Sequence, residues 1–404
     1  MKRTFFYLIS IILLLANTAL NAQKVVCGAD RTEAYLPLIE GKRIGVVANQ
    51  TSAIGKTHLI DSLLSLKVNV VKIFAPEHGF RGDKEAGAHI KTQKDARTGL
   101  NVISLYGKKK KPNQEDMQGI DVLLFDIQDV GCRFFTYIST LHYCMEACAE
   151  NNLPLVLLDR PNPNNGTAKG TILTDTSLVS FVGLHPIPMV YDLTIGELAL
   201  MINGMGWLGT DSRRVCGQTS SLRCDIKVIP LLNYTNTTHY DLPIAPSPNL
   251  QTPNAVSFYP NLCLFEGTKV SVGRGTDLPF EIVGFPSFKA DKATIEFVPR
   301  AIKGVSDHPM YENKLCKGLK ITPQLSQWLG GFIPEIVKTM YEAYEPKDEF
   351  FNSFFDRLAG TKQMRKVIEG KLAFKDAEPK WTQELNDYLL HCRPYRLYPY
   401  SEQK

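Results

Sequence analysis

Residues 121–133 read DVLLFDIQDVGCR, and the fold follows from how this stretch is taken. Asp121 to Asp126 is a short, almost wholly apolar run without polar alternation. That pattern suits a strand buried on both faces, as in a parallel sheet covered by helices above and below. The run then breaks at once into Asp126, Gln128, Asp129, Gly131 and Arg133. Moving outward, the same texture returns. Arg43–Asn49 (RIGVVAN), Val68–Phe74 (VNVVKIF), Asn101–Tyr106 and Leu153–Leu158 (LPLVLL) are further apolar runs of strand length. Among them lie helical patterns. Thr57–Leu66 puts Leu59, Ile60, Leu63 and Leu64 on one face, and Thr140–Asn151 turns Leu141, Cys144, Met145 and Cys148 inward. A third, Thr194–Asn203, opens on the capping pair Thr194 and Glu197. Strands alternating with helices predict an α/β domain with a parallel sheet in a Rossmann-like layout.

A chain of 404 residues is long for one core, so a second domain is expected. From about Tyr234 the texture changes, and Pro243, Pro246, Pro248, Pro253 and Pro260 punctuate a stretch with little regular pattern. We place the boundary there, giving a first domain over 23–246 and a smaller α+β domain over 247–404. The second contains a Gly-rich segment, Glu266–Gly275, then mixed strands, then helical patterns at Pro323–Leu329, Pro334–Ala343 and Trp381–Tyr388.

The N-terminus carries Lys2 and Arg3 ahead of an apolar run, Phe5–Ala16, and small or polar residues follow to Ala22. That is a secretory leader over 1–22, too short and wrongly flanked for a membrane anchor, and it predicts a periplasmic or extracellular protein. A lipid-modified cysteine normally follows the apolar core directly. Cys27 lies farther on, so lipid anchoring is not expected. No other segment is apolar enough to span a bilayer. The net charge of +5, or +3 without the two basic leader residues, is spread along the chain. The one basic run, Lys108–Lys111, reads as a solvated loop, which argues against nucleic acid as a partner. Nine cysteines without regular spacing read as buried free thiols, although Cys216 and Cys224 could close a short loop.

Position is the informative feature of the polar residues. In open parallel sheets, ligands bind at the carboxyl ends of the strands. Here each apolar run passes directly into polar residues: Asn49-Gln50-Thr51, Glu77-His78-Gly79-Phe80-Arg81, Asp126 to Arg133, and Asp159-Arg160-Pro161-Asn162. Glu77 is the leading candidate for proton transfer. It follows a strand and a proline, beside His78 and a glycine, and a carboxyl partly desolvated in a cleft can act as a general acid. A structural role is the competing reading, as a cap or an ion pair with Arg81. His78 either orients Glu77 or contacts the ligand. Asp126 and Asp129 are candidates for a second carboxylate, and Asp126 could equally pair with Arg133 or Arg160. Asp159 pairs with Arg160, or Arg160 grips a substrate carboxylate. Glu266, Arg274 and Glu281 stand among Gly, Thr and Pro in the second half, a composition suited to a loop folded against a ligand or the other domain, the competing reading being a surface loop with a charge pair. There is no phosphate-cradling Walker loop, no dinucleotide Gly-rich turn after the first strand and no Gly-x-Ser-x-Gly elbow. No metal or cofactor is expected.

The segments GKRIGVVANQTS, APEHGFRGD, LLFDIQDVGCRFFTYI, LLDRPNPNNG, FVGLHPIPM, LTIGELALMING, SPNLQTPNA, YPNLCLFEGT and GRGTDLPFEIVG together resemble the exo-β-N-acetylmuramidase family typified by NamZ, formerly a domain of unknown function. The resemblance runs from Gly41 through Phe285. It implies a Rossmann-like catalytic domain, an auxiliary C-terminal domain and a site in the cleft between them. It also implies release of N-acetylmuramic acid (MurNAc) from the non-reducing ends of peptidoglycan fragments such as MurNAc-GlcNAc saccharides. The glutamate of the Pro-Glu-His-Gly motif, the family's proposed catalytic residue, is Glu77 here. Positions matching other family blocks are Asp126, Gln128, Asp129, Arg133, Asp159, Arg160, Glu266, Arg274 and Glu281, and Asn49, His78 and Arg81 join them as candidate substrate contacts. Among them, Arg133, Arg160 or Arg274 would bind the lactyl carboxylate that marks muramic acid, and Asp126, Asp129 or Glu281 would partner Glu77. Three departures stand out: Tyr191-Asp192 replaces a common His-Gly pair, Leu250-Gln251 replaces Met-Pro, and Ala168-Lys169-Gly170-Thr171 replaces a Glu-Gly-Pro pattern. The alternatives to an exo-muramidase are a protein that binds wall fragments without cutting them, a metal-dependent hydrolase or deacetylase, and a purely structural envelope protein.

Overall fold

Six parallel strands form the frame. The computed structural model describes residues 24–81 and 93–400, so the leader expected over 1–22 lies outside the described residues. The strands are β1 (Ile44–Ala48), β2 (Val70–Ala75), β3 (Gln93–Lys94), β4 (Asn101–Ser104), β5 (Val122–Asp126), β6 (Leu155–Leu158) and β7 (Ile226–Ile229). Their order is β3-β4-β2-β1-β5-β6-β7. Every pairing is parallel except β3 with β4 at one edge. In the centre, Ala48 lies opposite Asp126 and Val47 opposite both Phe74 and Phe125, so these strands end nearly level.

Alternate side chains of these apolar strands enter two different cores, which is why the runs lack polar alternation. Ile44, Val46, Ala48, Ile73, Val122, Leu124 and Val156 pack under α1 (Thr32–Ile39) and α2 (Leu59–Ser65). Val47, Phe74, Leu123, Phe125, Leu155 and Leu157 pack on the other face under α3 (Tyr137–Glu150) and α4 (Ile195–Gly204). The second core runs without a break into the C-terminal half, through Tyr259, Phe265, Val337 and Trp381. That half holds α5 (Pro253–Leu262), an antiparallel sheet of β8 (Ile282–Phe285), β9 (Ile295–Phe297) and β10 (Cys316–Lys320), then α6 (Glu335–Ala343), α7 (Phe355–Ala359) and α8 (Phe374–Cys392). The tail returns to the first sheet, where Tyr398 Oη donates to Asp159 Oδ2 at 2.5 Å and Arg396 pairs with Asp192 at 3.0 Å.

Some elements differ from expectation. The Pro-rich stretch contains α5, because Pro253 takes the first helical position, where its missing N–H costs nothing, and Thr252 caps the end by accepting from Ala255 N at 3.0 Å. Pro323–Leu329 is not a helix. It forms turns leading into a short strand, in which Trp328 pairs with Pro334. All nine cysteines are free thiols, including Cys216 and Cys224, and Cys216 alone is exposed. Among the described residues no helix is long and apolar enough to cross a membrane.

Candidate active site

The end of β2 delivers Glu77. After Ala75 the chain turns through Pro76, with Gly79 N donating back to Pro76 O at 3.1 Å. His78 and Gly79 both hold left-handed backbone, at φ 70° and 81°. For His78 that conformation costs about 1 kcal/mol or more, and such strain collects at functional sites. The turn buries the Glu77 side chain at 9% exposure, and Thr136 Oγ1 donates to its Oε2 at 2.6 Å. Thr136 comes from the loop between β5 and α3, so the carboxyl is fixed by two separate strand ends.

The other strand ends are spent on one another. After β1, the Asn49 side-chain Oδ1 accepts from Thr51 N at 2.9 Å and Thr51 Oγ1 at 2.6 Å, a local Asx-type turn. Gln128 N donates to Thr51 Oγ1 at 3.0 Å, and its side-chain amide donates to Asp129 O and Pro161 O, each at 2.7 Å. Asp126 and Arg160 form a bidentate pair at 2.6 and 2.8 Å, with 0% and 6% exposure. Burial works against the Arg160 charge, but Asp126 outweighs it and raises the guanidinium pKa. Asp159 accepts from Thr194 Oγ1 and Gly196 N, both at 2.8 Å, and so holds the first turn of α4. Burial pushes its pKa up to about 6. Asp129 accepts from Gly131 N at 2.6 Å and from the Tyr191 hydroxyl, and burial pushes its pKa up to about 7. Tyr191 thus supplies the hydroxyl that holds Asp129.

Arg133 is also not where a substrate-binding residue would sit. It is fully buried and donates to three carbonyls, those of Thr171 at 2.6 Å, Ile187 at 2.7 Å and Leu358 at 2.9 Å. Burial pushes its pKa down to about 9. It ties the N-terminal loops to α7 of the C-terminal half.

A cavity of about 690 Å³ opens at the sheet's carboxyl edge, closed on its far side by the C-terminal half. Glu77, His78 and Thr136 form one wall. Phe134, Phe135, Tyr137, Tyr259 and Phe280 make an aromatic floor of edge-to-face contacts, with Phe135 and Tyr137 centroids 4.8 Å apart and Tyr259 and Phe280 5.1 Å apart. Tyr106, Lys110, Phe181, Glu266, Arg274, His308 and Arg357 complete the ring. Among the described residues, the lining therefore holds two carboxylates, Glu77 and Glu266. Arg274 pairs with Glu266 at 2.9 and 2.5 Å and lies over the Phe280 ring at 5.0 Å. Aromatic rings beside polar and charged groups suit a sugar, which presents apolar faces and a rim of hydroxyls.

Of the residues singled out from sequence, Glu77, His78, Glu266 and Arg274 meet on this lining. Asn49, Gln128, Asp126, Asp129, Arg133, Asp159 and Arg160 lie behind it and hold the turns. Arg81 pairs with Asp95 at 3.0 Å. Glu281 accepts from Thr252 Oγ1 at 2.6 Å, at the start of α5. Sequence reasoning missed Thr136, although it stands in the block after β5, just past Arg133. It also missed Arg357, for which no local signal exists. Among the described residues, no three His, Cys, Asp or Glu side chains converge as metal ligands would.

Comparison with known proteins agrees with this architecture. Residues 44–254 match the family described as exo-beta-N-acetylmuramidase NamZ, N-terminal, and residues 257–398 match its C-terminal counterpart. The chain is 34% identical over 405 residues to the peptidoglycan beta-N-acetylmuramidase NamZ of Bacillus subtilis strain 168, covering 95% of this chain and 93% of that one. Two crystal structures of DUF1343 family proteins from Bacteroides fragilis NCTC 9343 are similar. One is 40% identical with a TM-score of 0.82, covering 94% of this chain and 100% of that chain. The other is 30% identical with a TM-score of 0.77, covering 93% and 99%.

Proposed function

The chain belongs to the exo-β-N-acetylmuramidase NamZ family, and from that premise we propose that it removes MurNAc from the non-reducing ends of peptidoglycan fragments, with Glu77 as general acid. The observation that carries the reading is the placement of Glu77, a carboxyl on the wall of an aromatic-floored cavity, steadied by Thr136 at 2.6 Å. Glycoside cleavage needs a proton on the leaving oxygen and a group to attack the anomeric carbon. Glu77 supplies the proton. Glu266, its charge balanced by Arg274, is the second carboxylate and orients the attacking group, whether a water or the sugar's own 2-acetamido oxygen. Asp126, Asp129 and Glu281 support this site from behind.

The test is release of free MurNAc from a MurNAc-GlcNAc disaccharide, run beside a GlcNAc-first analogue and with a chelator. Release from the muramic-acid-first substrate alone, unchanged by chelation, is expected. Tight binding without turnover would replace the enzyme with a binding protein, and loss of activity with the chelator would replace it with a metal-dependent hydrolase. We further propose that the protein is exported without a lipid on Cys27. That thiol is buried at 5% exposure, 3.7 Å from Tyr240 Oη, where a lipidated cysteine would have to leave the fold. N-terminal sequencing of the mature protein from cell-envelope fractions checks this, with a blocked, diacylated Cys27 as the contrary result.

A further inference from the structure

The cavity lining carries more positive charge than its carboxylates balance. Among the described residues, Lys110, Arg274 and Arg357 face Glu77 and Glu266, an excess of one cation. Arg274 is committed to Glu266 at 2.5 Å. The Lys110 ammonium lies over the Phe181 ring, 4.7 Å from its centre. No hydrogen bond or ion pair joins the Arg357 side chain to any described residue.

Arg357 nevertheless stands on a fixed platform. On α7 its neighbours are all held: Asp356 by Arg365 at 3.1 Å, the Leu358 carbonyl by Arg133 at 2.9 Å and the Ala359 carbonyl by Thr171 at 2.5 Å. Buried Arg133 thus fixes the helix that holds Arg357 at the cavity mouth. The turn bearing Phe181, closed by Ser180 and Gly183 hydrogen bonds at 2.9 and 3.0 Å, packs beside the same helix. The mount fixes the backbone of Arg357, so only its side-chain rotamers are left to order when the guanidinium engages a ligand.

We propose that Arg357 is the specificity-determining residue of this site, reading a carboxylate carried on an ether substituent of the terminal sugar. This rests on the muramidase reading, in which that group is the lactyl carboxylate that separates N-acetylmuramic acid from N-acetylglucosamine. A planar guanidinium matches a carboxylate with two parallel hydrogen bonds, and the pairing adds direction as well as charge. Arg133 and Arg160, the other arginines considered from sequence, are enclosed and already bonded.

The experiment compares two disaccharides, MurNAc-GlcNAc with a free lactyl carboxylate and the same sugar with a lactyl carboxamide. The wild-type protein is expected to favour the acid by roughly 10–100-fold in KM, the range for a hydrogen-bonded charged pair. Arg357→Gln should raise KM for the acid to that of the amide while leaving kcat and the amide's constants near wild type. Arg357→Lys should restore part of the preference. Thermal unfolding at the wild-type temperature confirms that the variants fold. An unchanged acid-to-amide ratio in Arg357→Gln overturns the proposal, as does a ratio that collapses in Lys110→Gln instead. If the wild type cleaves neither sugar, the muramidase reading fails. Equilibrium binding of free N-acetylmuramic acid against N-acetylglucosamine then decides for Arg357. A preference abolished by Arg357→Gln supports it, and no preference in the wild type overturns it.

Discussion

The two sides of the cavity use their charged residues in opposite ways. On the sheet side, Asp126, Asp129, Asp159 and Arg160 are enclosed and bonded to other parts of the protein. On the C-terminal side, Glu266, Arg274 and Arg357 stand on the lining. The strand ends that look most like a site are mainly a frame, and Glu77, with His78 and Thr136, is where that frame reaches the cavity wall. A polar residue at a strand end signals that a turn must be held there, and a ligand need not be what it holds.

This contrast can be broken by substitution, and the largest effect is expected at the buried ion pair. Asp126→Ala leaves the Arg160 guanidinium enclosed without a counter-charge and should cost about 3–5 kcal/mol of stability. Denaturant unfolding measures this, and little loss would mean that Asp126 is not part of the frame. Arg133→Met comes next. It strands the carbonyls of Thr171, Ile187 and Leu358 and should cost about 2–4 kcal/mol in the same assay. Glu266→Gln acts on the opposite side. It should lower kcat by roughly 10²-fold or more while the protein unfolds much as the wild type does.

The smallest effect sharpens the comparison through pH. The folded-state pKa of Asp129 is raised to about 7 from an ordinary 3.8. The folded protein therefore holds this proton more tightly than the unfolded chain does, and stability from this group is fully present below the unfolded value. It is lost as pH rises through 7. Asp159 and Glu197, raised to about 6 and about 7, act in the same direction. Asp129→Asn should flatten the fall in melting temperature between pH 5 and 8, and an unchanged slope would exclude Asp129 as its source.

Much of the sheet was legible because a strand buried on both faces needs a nearly continuous apolar run: β1, β5 and β6 have one, and Lys72 alone breaks that of β2. β7 escaped notice because Ile226–Ile229 is an edge strand, half-buried and only four residues long. α5 was hidden by its own start signal, since Pro253 reads as a breaker until Thr252 is seen to cap the helix. Glu77 was legible because a strand, a proline and a glycine frame it. The role of Asp126 was not, because catalysis and ion pairing with Arg160 call for the same residue types, and burial alone separates them. Thr136 and Arg357 reach the cavity through contacts between distant segments, which no local pattern records.

The central claim is that Glu77 performs the chemistry while the neighbouring acids hold the frame. Its most direct test is the turnover of Glu77→Gln on MurNAc-GlcNAc, with melting temperature measured on the same preparation. The account predicts a fall in kcat of roughly 10²–10⁴-fold, the usual contribution of a positioned acid, in a protein that melts as the wild type does. Turnover near the wild-type rate in that folded variant would contradict it.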